Sequence, residues 1–245
     1  MKQYFLSFAL IFFFATASLA QIKHDKWNTL LKKHVDTHGN VDYKGFINST
    51  SDFQAYLDDL SANPPQESWS KNEKLAYWIN AYNAFTVKLI IDNYPLESIQ
   101  DLHPMFKIPG LNTVWHKEFF KIGGEEESLN DIEHKILRKQ FNEPRIHFAI
   151  NCASVSCPNL RNEAFFAHKM EAQLTEQAKK FINDTSKNKL SANQLELSKI
   201  FSWFKGDFTK KTSLIAFLNQ YADIKIAKDA DIDYLDYNWQ LNEKK

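Results

Sequence analysis

One stretch of this chain restricts the fold more than any other. From Lys71 to Asp92 apolar residues recur on nearly every side of a helical wheel. Leu75, Ile79, Tyr82, Thr86 and Leu89 form one stripe, and Ala76, Asn80, Asn83, Val87 and Ile91 a second. A helix apolar on most of its faces cannot lie on a surface, so the rest of the chain must wrap it. Ser70 and Glu73 form a capping-box pattern at its start, and Pro95 follows its end. Asn80 and Asn83 then sit inside the protein, one turn apart. Buried amides either satisfy the backbone of a neighbouring loop or line a pocket, and both roles stay open.

The flanking segments are read by the same periodicities. Residues 22–38 and 51–61 carry helical spacing and make an N-terminal lead-in of about residues 22–65, with a turn at 39–45 between them. Phe119 to Ile122 reads as a short strand before Gly123-Gly124. Ser128-Leu129-Asn130-Asp131 opens a capped helix to about Lys139, with Glu133 inside its apolar arc and His134 at its edge. Arg145 to Asn151 alternates: Ile146, Phe148 and Ile150 face one way, His147, Ala149 and Asn151 the other, as in a strand. A helix follows over 162–183, then a hairpin at 189–197 and helices at 199–204 and 212–221. Leu235, Tyr237, Trp239 and Leu241 alternate like a final strand, read as core. The expected fold is α+β: a mainly helical single domain, residues 21–245, around a small, largely antiparallel sheet with a buried central helix at about 71–92.

Residues 1–20 are set apart from that fold. Lys2 is followed by a short apolar run from Phe5 to Ala17, and Ser18-Leu19-Ala20 precedes Gln21. This is the pattern of a cleavable signal peptide, and it implies export to a periplasm or the cell exterior. No later segment approaches the ~18 apolar residues of a transmembrane helix, so the mature chain is not expected to be integral to a membrane. Lys and Arg number 30 against 30 Asp and Glu, with no basic stripe to hold nucleic acid. With 6 Gly and no GxGxxG or Walker pattern, a phosphate-cradling loop is not indicated, and no cofactor is assigned. A small molecule or peptide-like ligand remains, and the oligomeric state is not readable.

The densest polar constellation is His147-x4-Cys152-x4-Cys157-Pro158, which holds the only two cysteines. An imidazole near a thiol can lower its pKa and create a nucleophile, with His147 as base and Cys152 or Cys157 attacking. Glu133 or an asparagine would orient or bind. In an oxidising compartment the same two cysteines tend to form a structural disulfide. Other readings are a metal site with His147 and His134, for which a second closely spaced ligand pair is missing, and an inert buried pair. His134 with Arg138 can bind an anion or simply edge a solvated helix.

At these residues the chain resembles the DUF547 family, which is named for having no assigned function. The matching segments are Tyr77-Trp-Ile-Asn-Ala-Tyr-Asn-Ala84, Ser128-Leu-Asn-Asp-Ile-Glu-His134, Arg145-Ile-His-Phe-Ala-Ile-Asn-Cys152, Cys157-Pro158 and Asp236-Tyr-Asn-Trp-Gln-Leu-Asn242. The resemblance implies that Asn80, Asn83, Glu133, His134, Arg145, His147, Asn151, Cys152 and Cys157 are family-type positions. Of these, His147, Cys152, Cys157 and Glu133 are the candidates for chemistry, and Asn80, Asn83, His134, Arg145 and Asn151 for substrate binding. In some relatives the domain is joined to glutaredoxin-like modules, an association that hints at thiol chemistry. The layout also faintly resembles papain and transglutaminase enzymes. Those carry the nucleophilic cysteine at the start of the buried helix, before the histidine, whereas here the cysteines follow His147.

Overall fold

The computed structural model describes residues 22–106 and 112–245, so the expected signal peptide lies outside the described residues. Four helices open the fold: α1 (Asp25–His34), α2 (Tyr43–Asn48), α3 (Thr50–Ala62) and α4 (Lys71–Asp92). Helix α4 is the expected central helix. Its start is a reciprocal capping box, with Glu73 N–H donating to Ser70 Oγ at 3.3 Å and Ser70 N–H to Glu73 Oε2 at 2.6 Å. Fourteen of its residues are buried, from Leu75 to Ile90, which is why its sequence shows no single apolar face.

The lead-in helices pack on α4 through large side chains. Trp27 is fully buried and stacks on Phe53 and Tyr56, with ring centroids 5.7 Å away in each case. Burying a side chain of that kind stabilises by roughly 1.5–3 kcal/mol. The Tyr77 hydroxyl donates to Leu60 O at 2.6 Å and ties α4 to α3. Residues 43–45, read from the sequence as the end of a turn, instead begin α2, because Asp42 accepts from Gly45 N–H and caps it.

After α4 come β1 (Phe120–Ile122) and β2 (Glu125–Glu127), an antiparallel hairpin across Gly123-Gly124, both glycines with positive φ. Asp131–Leu137 then winds as a π-helix and runs into α5 (Arg138–Gln140). Ser128 opens it as expected, Asp131 N–H donating to Ser128 Oγ. The remainder is α6 (Met170–Asn183), β3 (Lys189–Leu190), β4 (Gln194–Leu197), α7 (Ile200–Trp203), α8 (Lys205–Phe208), α9 (Leu214–Leu218) and β5 (Asp231–Tyr234). β3 and β4 pair antiparallel as the expected hairpin, and β5 joins β4 in parallel. The class is α+β and mainly helical, with the strands divided between two small sheets rather than gathered in one.

Two expectations of local structure are corrected. Pro144–Phe148 is a 3-10 helix, not a strand. Pro144 stands at its start and Glu143 caps it by accepting from Arg145 N–H. The segment is wedged between two hydrophobic clusters. Ile146, Ala149 and Ile150 belong to the one built around α1–α4, while Phe148 belongs to the one under α6–α9. Burial on all sides, not pleating, produces the alternation. The C-terminal run from Leu235 to Leu241 is also not a regular strand: it is held by the single bridges Ser98–Gln240 and Ser154–Leu241. The helix expected from residue 162 begins later, as a 3-10 turn Ala167–Lys169 leading into α6. Among the described residues no helix is long and apolar enough to cross a membrane.

Candidate functional site

The two cysteines lie on a loop that is fastened from every side. Asn83, on α4, donates to Ala149 O at 2.9 Å and accepts from Asn151 N–H at 2.8 Å. Asn151 donates to Pro158 O and accepts from Ala153 N–H, closing the loop across its own ends. Ala153 has φ +61, a left-handed conformation that is uncommon for a residue with a Cβ and is held here by the surrounding bonds. The C-terminal segment runs along the loop: Val155 N–H donates to Gln240 O at 2.8 Å and Ser156 N–H to Asn238 O at 3.1 Å. From behind, the buried Lys187 ammonium donates to the carbonyls of Val155 and Cys157 at 2.7 and 2.6 Å.

Both cysteines are free thiols. Cys157 is buried, and its sulfur accepts from Cys152 N–H at 2.8 Å. Cys152 is half-buried as a residue, and its sulfur lies 3.3 Å from Ser154 Oγ and 3.4 Å from Tyr237 Oη. The Cys157 thiol, hydrogen-bonded to Cys152, is the main reason that the Cys152 pKa falls to about 7. The Ser154 and Tyr237 hydroxyls help, and burial opposes them. Burial, then the hydrogen bond to Cys152 and the negative charge there, push Cys157 far the other way. Of the coupled pair, Cys152 takes the charge and Cys157 keeps the proton.

Cys152 opens into a cavity of about 520 Å³. Glu133 and His134 reach it from the π-helix, a geometry that recurs at functional sites because it re-aims successive side chains. Burial lifts the Glu133 carboxyl to about 7, the nearby Cys152 charge adds to the rise, and Arg138 opposes it. The Tyr82 hydroxyl, from α4, hydrogen-bonds Glu133. His134 is pushed down to about 4 by burial and by the charge of Arg138, whose Nη1 donates to His134 Nδ1 at 2.7 Å.

His147 also lines the cavity, but no hydrogen bond joins it to either sulfur. Its Nε2 lies 2.9 Å from Asp207 Oδ2, its Nδ1 lies 3.9 Å from Glu133 Oε1, and its ring stacks on Phe204 with centroids 4.0 Å apart. Burial lowers its pKa, and the Asp207 carboxylate opposes the fall. Asp207 also accepts from Arg138 Nε at 2.6 Å. Burial works against that carboxylate, yet the bonds from His147 and Arg138 outweigh it and hold its pKa below the usual range. The sequence reading pairs His147 with a cysteine. The structure instead places it in the order Asp207, His147, Glu133, with Glu133 next to Cys152 in charge.

The other sequence candidates lie off this cavity. Asn80 is buried with its amide closed on the backbone of Phe165, donating to O at 2.8 Å and accepting from N–H at 3.0 Å. With Asn83 engaged in the same way, both asparagines act on loops, the scaffold alternative of the sequence reading, and neither lines the cavity. Asn151 organises the cysteine loop from within. Arg145 faces elsewhere, paired with Glu143 and Glu171. Among the described residues no three His, Cys, Asp or Glu side chains converge as a metal-ligand set, so the metal reading gains no support. Asp207, Trp203 and Phe204 at the site carry no signal in their own stretch of sequence. Tyr237 and Trp239 carry one, the alternating aromatics read as core.

Residues 66–182 match the family described as "Protein of unknown function, DUF547". The matched stretch holds α4, Glu133, His147 and both cysteines and supports the family resemblance seen in the sequence. No curated protein and no solved structure matches it. The matched stretch ends before Asp207, Tyr237 and Trp239, so the site is completed by chain outside it.

Proposed function

We propose that this chain is a thiol-dependent hydrolase or acyl transferase in which Cys152 is the nucleophile and Glu133, rather than His147, carries the proton. The observation behind this reading is the juxtaposition in one cavity of a thiol and a carboxyl that both titrate at about 7. Matched pKa values let one proton rest on either group near neutral pH. With the proton on Glu133, the Cys152 thiolate attacks an acyl carbonyl. The S–C bond forms, the bond to the leaving group breaks, and Glu133 gives that group its proton. Water or an acceptor nucleophile then attacks the thioester and returns a proton to the Glu133 carboxylate. The S–C bond breaks and the thiolate is restored. His147, fixed by Asp207, is a positioning residue for Glu133 in this scheme. An export signal at residues 1–20 would deliver the enzyme to an oxidising compartment, where Cys157 could close on Cys152 and silence it.

The test is acyl-enzyme trapping. Incubation of the reduced protein with p-nitrophenyl acetate is expected to leave one acetyl group on Cys152 by peptide mass spectrometry, and none on Cys152→Ser. An adduct distributed equally over both cysteines, or absent from both while the protein still binds ligand, would refute the mechanism and return the domain to a binding role.

A further inference from the structure

The cavity walls also bear on what the substrate is. Besides Glu133 and His134, the lining holds a continuous aromatic surface. Trp115 and Trp203 flank Trp239 at centroid distances of 5.6 and 5.8 Å, and Tyr237 packs on Trp239 at 4.5 Å. Trp203 is 49 % exposed and forms part of the rim. Among the described residues the lining contains no Lys or Arg. The cations around it are already engaged: Arg138 with Asp207 and His134, Lys210 with Asp207 at 3.4 Å, and Lys187 with the Val155 and Cys157 carbonyls behind the thiols. The single lining carboxyl among the described residues is Glu133, which lies beside the His147 imidazole. His134 accepts from Arg138 at Nδ1, so its proton sits on Nε2 and it offers a neutral N–H donor. An anionic substrate would find no Lys or Arg on this lining, only the imidazoles of His116, His134 and His147, and desolvating a carboxylate without a fixed cation beside it is costly.

We propose that the cavity takes an uncharged apolar acyl group, aryl or medium-length alkyl, presented as an ester or thioester, its chain against Trp115, Trp203 and Trp239 and its carbonyl at Cys152. This rests on the thiol reading above. About 520 Å³ suits a ligand of ordinary small-molecule size. Aromatic surface of this extent binds apolar chains by area, with a gain of roughly three- to fourfold in affinity for each methylene buried.

The experiment uses the full chain as Cys152→Ser, so that nothing reacts, and follows tryptophan fluorescence. Unreactive primary amides from butanamide to octanamide are titrated beside octanoate and octyltrimethylammonium. Affinity should climb with each methylene, and both charged ligands should bind at least tenfold more weakly than octanamide. Trp203→Ala should weaken octanamide at least fivefold and Trp203→Phe should recover most of that loss. Tighter binding of octanoate, tighter binding of octyltrimethylammonium through cation–π contact with the tryptophans, or affinity independent of chain length would each overturn the proposal. Failure of the thiol reading is seen separately, as missing acetylation of Cys152 in the native protein.

Discussion

Replacing Cys157 by alanine isolates the contact that most depresses the Cys152 pKa. The Cys157 thiol is the largest cause of the fall from 9.0 to about 7, a difference worth about 3 kcal/mol of preference for thiolate over thiol. Ser154 and Tyr237, at 3.3 and 3.4 Å in the native protein, are not touched by the substitution, so only part of the fall should be lost. The Cys152 inflection should rise by about 1–2 units, each unit being about 1.4 kcal/mol. The assay is iodoacetamide alkylation of Cys152 followed by mass spectrometry from pH 5 to 10. The rate at a single pH is a poor readout. A rise of about 1.5 units cuts the thiolate fraction at pH 7 roughly 15-fold, but the more basic sulfur is about fivefold more nucleophilic, leaving a net change of only about threefold. The inflection itself has no such compensation. Native protein titrating near 9, or a variant that keeps the native inflection, would refute the reasoning from the Cys157 contact.

Two further outcomes follow from other parts of the site. Glu133 has a folded pKa of about 7 against an ordinary value of 4.5, so the fold favours its protonated form. That contribution is fully present below about pH 4.5 and is lost as pH rises through 7. Glu133→Gln, which never ionises, should therefore exceed native stability by about 2–3 kcal/mol at pH 8 and differ little at pH 4. Urea unfolding at the two pH values checks this, and a gain independent of pH would contradict it. Asn83→Ala removes both partners of Ala149 O and Asn151 N–H at a fully enclosed position. It should cost about 2–4 kcal/mol by the same measurement, since each orphaned group carries about 1–3; a loss under about 1 kcal/mol would show that the loop is held elsewhere.

Much of the framework is legible in the residues. Helix α4 announces itself through Ser70, Glu73 and an apolar pattern without a polar face, because complete burial erases amphipathicity. The hairpin at 189–197 and the turn at Gly123-Gly124 follow from local chemistry alone. The segment 144–150 misleads for a physical reason: a helical turn wedged between two hydrophobic clusters shows apolar residues on both sides of His147, as a half-buried strand would. The constellation of His147, Cys152 and Cys157 is visible as spacing, yet its wiring is not. Which group His147 touches depends on Asp207, sixty residues on and set by the packing of α8. The aromatic wall likewise joins Trp115, Trp203 and Trp239, residues brought together only by tertiary structure.

The C-terminal segment runs beside the cysteine loop and contributes Tyr237 and Trp239 to the cavity. It also reaches the lead-in, Tyr43 Oη donating to Asn242 Oδ1 at 2.7 Å. During synthesis these residues leave the ribosome after every other part of the site. Until they arrive, Val155 and Ser156 lack their backbone acceptors, Cys152 lacks the Tyr237 hydroxyl, and one wall of the cavity is missing. The nucleophile is thus assembled last, by long-range contacts whose loop closure is slow. A chain released early or clipped in this segment would present two unshielded thiols without the environment that tunes them.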